Sequence, residues 1–123
     1  MKHILVVDDS SATRSLVGAV LAEATDLRVE RVSTGLEAIK LLSTTEIDLV
    51  LTDIHMPEIN GLELIRFIKE AEHLRRIPVV IISTEAAKQD KERALALGAD
   101  DYLAKPFTAE QLRRAINKHL LKQ

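Results

Sequence analysis

Short apolar runs alternate along the chain with stretches in which apolar residues return every three or four positions. Ile4-Leu5-Val6-Val7 is a continuous run of strand length, and Leu16, Val17, Val20, Leu21 and Ala24 then follow at helical spacing. Residues 28–33 alternate as a strand, with Val29 and Val32 as the apolar members, and 36–43 return to helical spacing. Residues 48–52 predict a third strand, 62–71 a helix, and the β-branched run at 78–82 a fourth strand. A charged, alanine-rich helix over 85–97 stops at Gly98, a short strand covers 101–104, and a last helix covers 108–121. Thr34-x-x-Glu37 and Thr108-x-x-Gln111 have the form in which paired side chains satisfy the free N–H groups at a helix start, and Asn60-Gly61-Leu62-Glu63 has it with asparagine.

Strands that alternate with helices require right-handed crossovers, which place helices on both faces of a parallel sheet. The predicted architecture is an α/β doubly wound sandwich of five parallel strands in one domain over residues 1–123. A chain of 123 residues is long enough to bury a core. That core is aliphatic, because Phe67, Phe107 and Tyr102 are its only aromatic residues. The absence of cysteine excludes disulfides and thiolate metal sites. A formal charge of -2 gives no electrostatic basis for direct nucleic-acid binding, and Arg75-Arg76 and Arg113-Arg114 read as solvated surface pairs. No signal peptide and no run of membrane-spanning length is present, which points to a cytoplasmic protein.

In such sheets functional groups gather beyond the carboxyl ends of the strands. There the sequence puts Asp8-Asp9-Ser10 after strand one, Asp53 after strand three, Ser83-Thr84 after strand four and Lys105-Pro106 after strand five. Each set alone has an ordinary explanation, as turn, cap or surface residues. Together they bring three carboxylates, hydroxyls and one lysine to a single rim. Two carboxylates about 4 Å apart repel by ~4 kcal/mol at an effective dielectric of about 20. A divalent cation with the lysine would neutralise all three, and an all-oxygen ligand set with room for water favours Mg²⁺. A carboxylate can serve as nucleophile toward phosphorus, and phosphoryl transfer needs chiefly alignment and charge neutralisation. Crowding also predicts that asparagine at position 8 or 53 stabilises the metal-free protein.

The ordered set of Asp8-Asp9, Asp53-x-x-Met56-Pro57-x-x-x-Gly61, Ser83 and Tyr102-x-x-Lys105-Pro106-Phe107 resembles the receiver domain of two-component response regulators over nearly the whole chain. The resemblance implies the flavodoxin-like, CheY-like three-layer sandwich with strand order 2-1-3-4-5. It implies a phosphorylation-dependent signalling switch that receives its phosphoryl group on Asp53 from a sensor histidine kinase or phosphotransfer protein. Asp8, Asp9, Asp53 and the backbone carbonyl of His55 would hold Mg²⁺, with Mn²⁺ as a substitute. Lys105, across a cis bond to Pro106, would contact the phosphoryl group. Ser83 and Tyr102 would form the switch that reshapes the face of helix four, strand five and helix five for a downstream protein. His55 and Glu85 would tune phosphoryl lifetime. The domain would be no enzyme beyond its own phosphorylation and dephosphorylation, would not engage nucleic acid or membrane directly, and would be a monomer or a weak phosphorylation-dependent dimer. His3, His73 and His119 read as surface residues without a donor role.

Two other readings use the same residues. A haloacid dehalogenase-type Mg²⁺-dependent phosphatase needs a second aspartate two positions after the nucleophile, where this chain has His55. A flavodoxin-like FMN-binding module would use Ser33-Thr34-Gly35, but these follow strand two and there are few aromatics to hold a flavin.

Overall fold

The computed structural model describes residues 1–24, 26–84 and 88–120. Five strands and five helices alternate: β1 (Lys2–Val7), α1 (Ser11–Leu21), β2 (Leu27–Val32), α2 (Gly35–Thr44), β3 (Leu49–Asp53), α3 (Gly61–Glu70), β4 (Val79–Thr84), α4 (Lys88–Leu97), β5 (Asp101–Lys105) and α5 (Ala109–Leu120). All strand pairs are parallel, in the order β2-β1-β3-β4-β5. The predicted doubly wound sheet is therefore present with its reversal point between β1 and β3. No helix of the described residues is long and apolar enough to cross a membrane.

Strand alternation divides the aliphatic residues between two layers. Ile4, Val6, Leu49, Leu51, Val80 and Ile82 pack with Val17 of α1 and Leu112 and Ile116 of α5. Leu5, Val7, Val50, Val79 and Ile81 point the other way, toward Ala38 of α2, Leu64, Ile65 and Ile68 of α3, and Ala94 of α4. Covered on both faces, β3 is buried along its whole length. The helices are anchored unequally: α3 buries Gly61, Leu64, Ile65 and Ile68, whereas α4 buries Ala94 alone.

The helix starts follow the sequence signals. Asn60 and Glu63 form the reciprocal capping box on α3, and Thr108 and Gln111 exchange the same pair of bonds before α5. At α2, Thr34 accepts from the Glu37 N–H, while the Glu37 carboxylate accepts from the Ser33 N–H and the Ser33 and Thr34 hydroxyls. Those hydroxyl bonds, with Ser33 first, hold the Glu37 carboxyl below its ordinary value. A carboxylate seated on the Ser33-Thr34-Gly35 turn repels phosphate, which argues against an FMN cradle there.

One expectation fails. His119 is only 4% exposed, and its Nε2 lies 2.9 Å from Asp101 Oδ2. His3 is also mostly covered, whereas His73 is exposed. A histidine in the charged last turn of α5 reads as solvated, but this one lies on the helix face turned toward the start of β5, where a carboxylate receives it. Arg75, Arg76, Arg113 and Arg114 are exposed as expected.

Candidate functional site

Parallel strands all end on the same side, so β1, β3, β4 and β5 deliver their last residues to one edge. Asp8, directly after β1, is 0% exposed, and Asp53, the last residue of β3, is 9% exposed. Asp9 is exposed. One carboxylate oxygen from each of Asp8, Asp9 and Asp53 lies within 4.8 Å of the others. From β5, 97 residues after Asp8, Lys105 sends its Nζ to 2.9 Å from Asp8 Oδ2 and 3.4 Å from Asp53 Oδ2.

The remaining oxygens are held by backbone. Asp8 Oδ1 accepts from the Ser10 N–H at 2.8 Å, and Ser10 caps α1 by accepting from Thr13. Asp53 Oδ1 accepts from the N–H groups of Ile54 at 2.7 Å and His55 at 3.4 Å. These bonds turn Asp53 Oδ2 toward Lys105. Two further residues, not singled out by the sequence, fix the frame: Arg14 donates to the Asp8 carbonyl at 2.7 Å, and the buried Thr52 hydroxyl donates to the Asp53 carbonyl. Neither side chain stands out in the sequence, because both act on main-chain atoms.

Gly61 explains the turn-rich loop after Asp53. Its N–H donates to the Ile54 carbonyl, and a Cβ there would collide with the Asp53 carbonyl oxygen. Only glycine lets α3 begin directly against the strand end. The Lys105-Pro106 bond is cis, as the resemblance implied.

Charge at this edge is unbalanced. Burial, then repulsion from Asp8, pushes the Asp53 carboxyl above its ordinary value, and the nearby Lys105 offsets this only in part. For Lys105, burial acts downward, but the bond to Asp8 and the charges of Asp53 and Asp8 outweigh it and raise the ammonium. Both groups shift upward, which favours the charged form of Lys105 and disfavours that of Asp53, because one cation is shared between two carboxylates. The donor set fits a hard divalent cation, with oxygen ligands only, deficient in positive charge and open on the Asp9 side.

Ser83 is 2% exposed and follows Ile82, which pairs with Asp53 across the sheet. Tyr102 is half-buried, and its hydroxyl donates to the carbonyls of Thr84 at 2.7 Å and Ser83 at 3.2 Å. Lys91 of α4 places its Nζ 4.8 Å from the centre of the Tyr102 ring. His55 turns its imidazole away from the carboxylates, with Nε2 2.8 Å from Asp90 Oδ2 on α4 and the side chain 71% exposed. Nothing in the sequence marks Asp90 among the other charges of α4. Glu85 lies outside the described residues.

The arrangement has close relatives. The profile of the response regulator receiver domain matches residues 4–117. The two-component response regulator ORR5 of Oryza sativa subsp. japonica is 38% identical over 119 residues, covering 96% of this chain and 88% of the relative. The chemotaxis response regulator CheY4 of Vibrio cholerae superposes with a TM-score of 0.90 at 29% identity, covering 98% of this chain and 99% of that one. The receiver domain of the sensor histidine kinase PA1611 from Pseudomonas aeruginosa, solved with a magnesium ion coordinated in its active-site cleft, gives 0.87 at 30% identity over 97% of each chain. No phosphatase or flavoprotein is needed to account for the site. From its strand order, its crowded strand-end carboxylates and these matches, the chain belongs to the response regulator receiver domains of two-component signalling.

Proposed function

We propose that this chain is a single receiver domain over residues 1–123 in which Asp53 accepts a phosphoryl group from a sensor histidine kinase or phosphotransfer protein. The observation that carries the reading is the convergence of the Asp53, Asp8 and Asp9 carboxylates, with Lys105 bonded to Asp8 and Asp53. In the reaction, an Asp53 oxygen forms a bond to phosphorus while the bond from phosphorus to the donor nitrogen or oxygen breaks and its electron pair leaves with the donor. The Ile54 and His55 N–H groups hold the carboxylate in place, and Lys105 neutralises a phosphoryl oxygen. Asp8, Asp9, Asp53 and the His55 carbonyl would hold Mg²⁺, or Mn²⁺ in its place. Bound there, the metal would supply the charge neutralisation that the phosphoryl oxygens require.

Ser83 and Tyr102 would carry the state of Asp53 outward. The Ser83 hydroxyl would bond to a phosphoryl oxygen, and Tyr102 would exchange its bonds to the Ser83 and Thr84 carbonyls for an inward position. Since α4 buries Ala94 alone, it is the element of the α4–β5–α5 face that would yield at least cost. Phosphorylation then biases an equilibrium by the difference in its contacts with the two states. His55, and Glu85 beyond the described residues, would tune phosphoryl lifetime. The domain would act in the cytoplasm as a monomer or a weak phosphorylation-dependent dimer, and its chemistry would be confined to its own aspartyl phosphate.

Incubation with Mg²⁺ and acetyl phosphate, followed by intact-mass analysis, should give one acid-stable, base-labile phosphoryl adduct per chain, lost when Mg²⁺ is chelated. Full adduct yield in Asp53→Asn would sink the assignment. Sustained hydrolysis of phosphoesters without a stoichiometric adduct would instead indicate a phosphatase.

A further inference from the structure

Two neighbouring residues in the first turn of α4 reach two different parts of the site. Asp90 Oδ2 lies 2.8 Å from His55 Nε2 on the loop after β3, and Lys91 Nζ lies 4.8 Å from the centre of the Tyr102 ring on β5. A carboxylate only accepts, so the imidazole donates from Nε2, and it does so whether neutral or protonated. The Asp90 side chain is 21% exposed, whereas the ring it holds is 71% exposed. The bond rather than packing therefore fixes the ring. The other end of His55 stands beside the chemistry, with its backbone nitrogen 3.4 Å from Asp53 Oδ1. A ring that starts so close is long enough to cover the reacting carboxylate once it is free to turn.

We propose that Asp90 is a positioning residue for the aspartyl-phosphate chemistry: by holding the His55 imidazole against α4 it keeps the water approach to Asp53 open, and a displacement of α4 frees the ring to cover the phosphoryl group and lengthens its life. The proposal rests on the reading of Asp53 as phospho-acceptor and adds the residue that directs His55. In hydrolysis a water oxygen bonds to phosphorus while the bond from phosphorus to the Asp53 oxygen breaks. The electron pair of that bond returns to the carboxylate, and the water's protons leave with the phosphate. The Ile54 and His55 N–H groups and Lys105 hold the Asp53 oxygens from the protein side, so the water must align from the solvent side. An imidazole lying over that side excludes it. Because α4 buries Ala94 alone, it can shift without opening the core, and a shift breaks the bond to His55. Asp90 and Lys91 are adjacent, so one displacement acts on His55 and Tyr102 together. A carboxylate in the first turn of α4 also suits the helix N-terminus, but that role would not depend on His55.

The test is a double-mutant cycle on adduct lifetime. The full chain is phosphorylated with acetyl phosphate and Mg²⁺, the donor is removed, and loss of the adduct is followed by intact mass. Asp90→Ala should slow that loss by about threefold or more, and in a His55→Ala background the same substitution should change the rate by less than about 1.5-fold. Asp90→Asn, whose amide oxygen still accepts from Nε2, should fall closer to wild type than to Asp90→Ala. Glu92→Ala removes an exposed carboxylate from the same helix and should leave the lifetime unchanged. In the unphosphorylated, metal-free chain, NOEs should join the His55 ring protons to the Asp90 Hβ protons, and the ring signals should move in Asp90→Ala but not in Glu92→Ala. Unchanged or faster adduct loss in Asp90→Ala, an equal slowing in the His55→Ala background, or absence of the NOEs would overturn the proposal and leave the phosphoryl reading intact. Absence of any adduct would overturn that reading and the proposal with it.

Discussion

Both edges of the sheet gather aspartates, and the two edges treat them oppositely. At the amino edge Asp48 accepts from the His3 N–H, and Asp100 accepts from the Val79 N–H and from Lys69. Asp101 there accepts from the Tyr102 N–H and is met by His119 and Lys118. Each of these carboxylates satisfies a strand start that would otherwise leave a donor exposed. At the carboxyl edge Asp8, Asp9 and Asp53 face one another with Lys105 as the cation between them. The same residue type thus seats strand starts at one edge, whereas at the other two buried carboxylates share one cation.

The largest effect that separates the edges should be on phosphoryl transfer. Lys105→Ala should slow adduct formation by about 100-fold. Asp100→Ala should leave the adduct yield intact, and a fall matching that of Lys105→Ala would dissolve the distinction. Stability should show the reverse order: Asp100→Ala removes the partner of a strand N–H and of Lys69, and should lower unfolding free energy by about 1–3 kcal/mol in urea titrations.

The carboxyl edge should respond to charge removal with the opposite sign. Without metal, Asp53→Asn should raise Tm by about 2–5 °C, and Mg²⁺ should raise the wild-type Tm more than that of the variant. The structure separates the two positions that crowding alone treats alike. Asp8 holds Lys105 and the Ser10 N–H, so replacing it discards favourable bonds along with the repulsion. A metal-free Asp53→Asn protein that melts below wild type would contradict this account.

The smallest effect concerns pH. Burial pushes Asp101 upward, but the bonds from His119 and the Tyr102 N–H and the charge of Lys118 outweigh it and hold the carboxyl below 3.8. A depressed carboxyl contributes stability above its unfolded value, and that contribution is lost as pH falls through the folded value. Asp53, raised above 3.8, has the opposite sign: its contribution is full below 3.8 and is lost as pH rises through the folded value. Asp101→Asn should therefore flatten the acid limb of the stability curve below about pH 4, whereas Asp53→Asn should relieve a cost present at neutral pH. Urea midpoints across the acid range compare the two directly.

Much of this was legible in the sequence, because periodicity places the strands and parallel topology then places their ends. Asp8 and Lys105 could be paired across 97 residues only through that topology. Boundaries were harder: the acidic Asp53 reads as lying beyond β3, yet it pairs with Ile82 as the last strand residue. The burial of His119 carries no sequence signal, because its partner, Asp101, is 18 residues distant and on another element. The contact of His55 with Asp90 spans 35 residues and carries no sequence signal at all.

The most direct test of the central claim is borohydride trapping of the protein treated with Mg²⁺ and acetyl phosphate, with peptide mapping of the reduced residue. An aspartyl phosphate is reduced to homoserine, and the account predicts that product at position 53 alone. Homoserine at position 8 or 9, or none at position 53 in protein carrying a stoichiometric adduct, would contradict it.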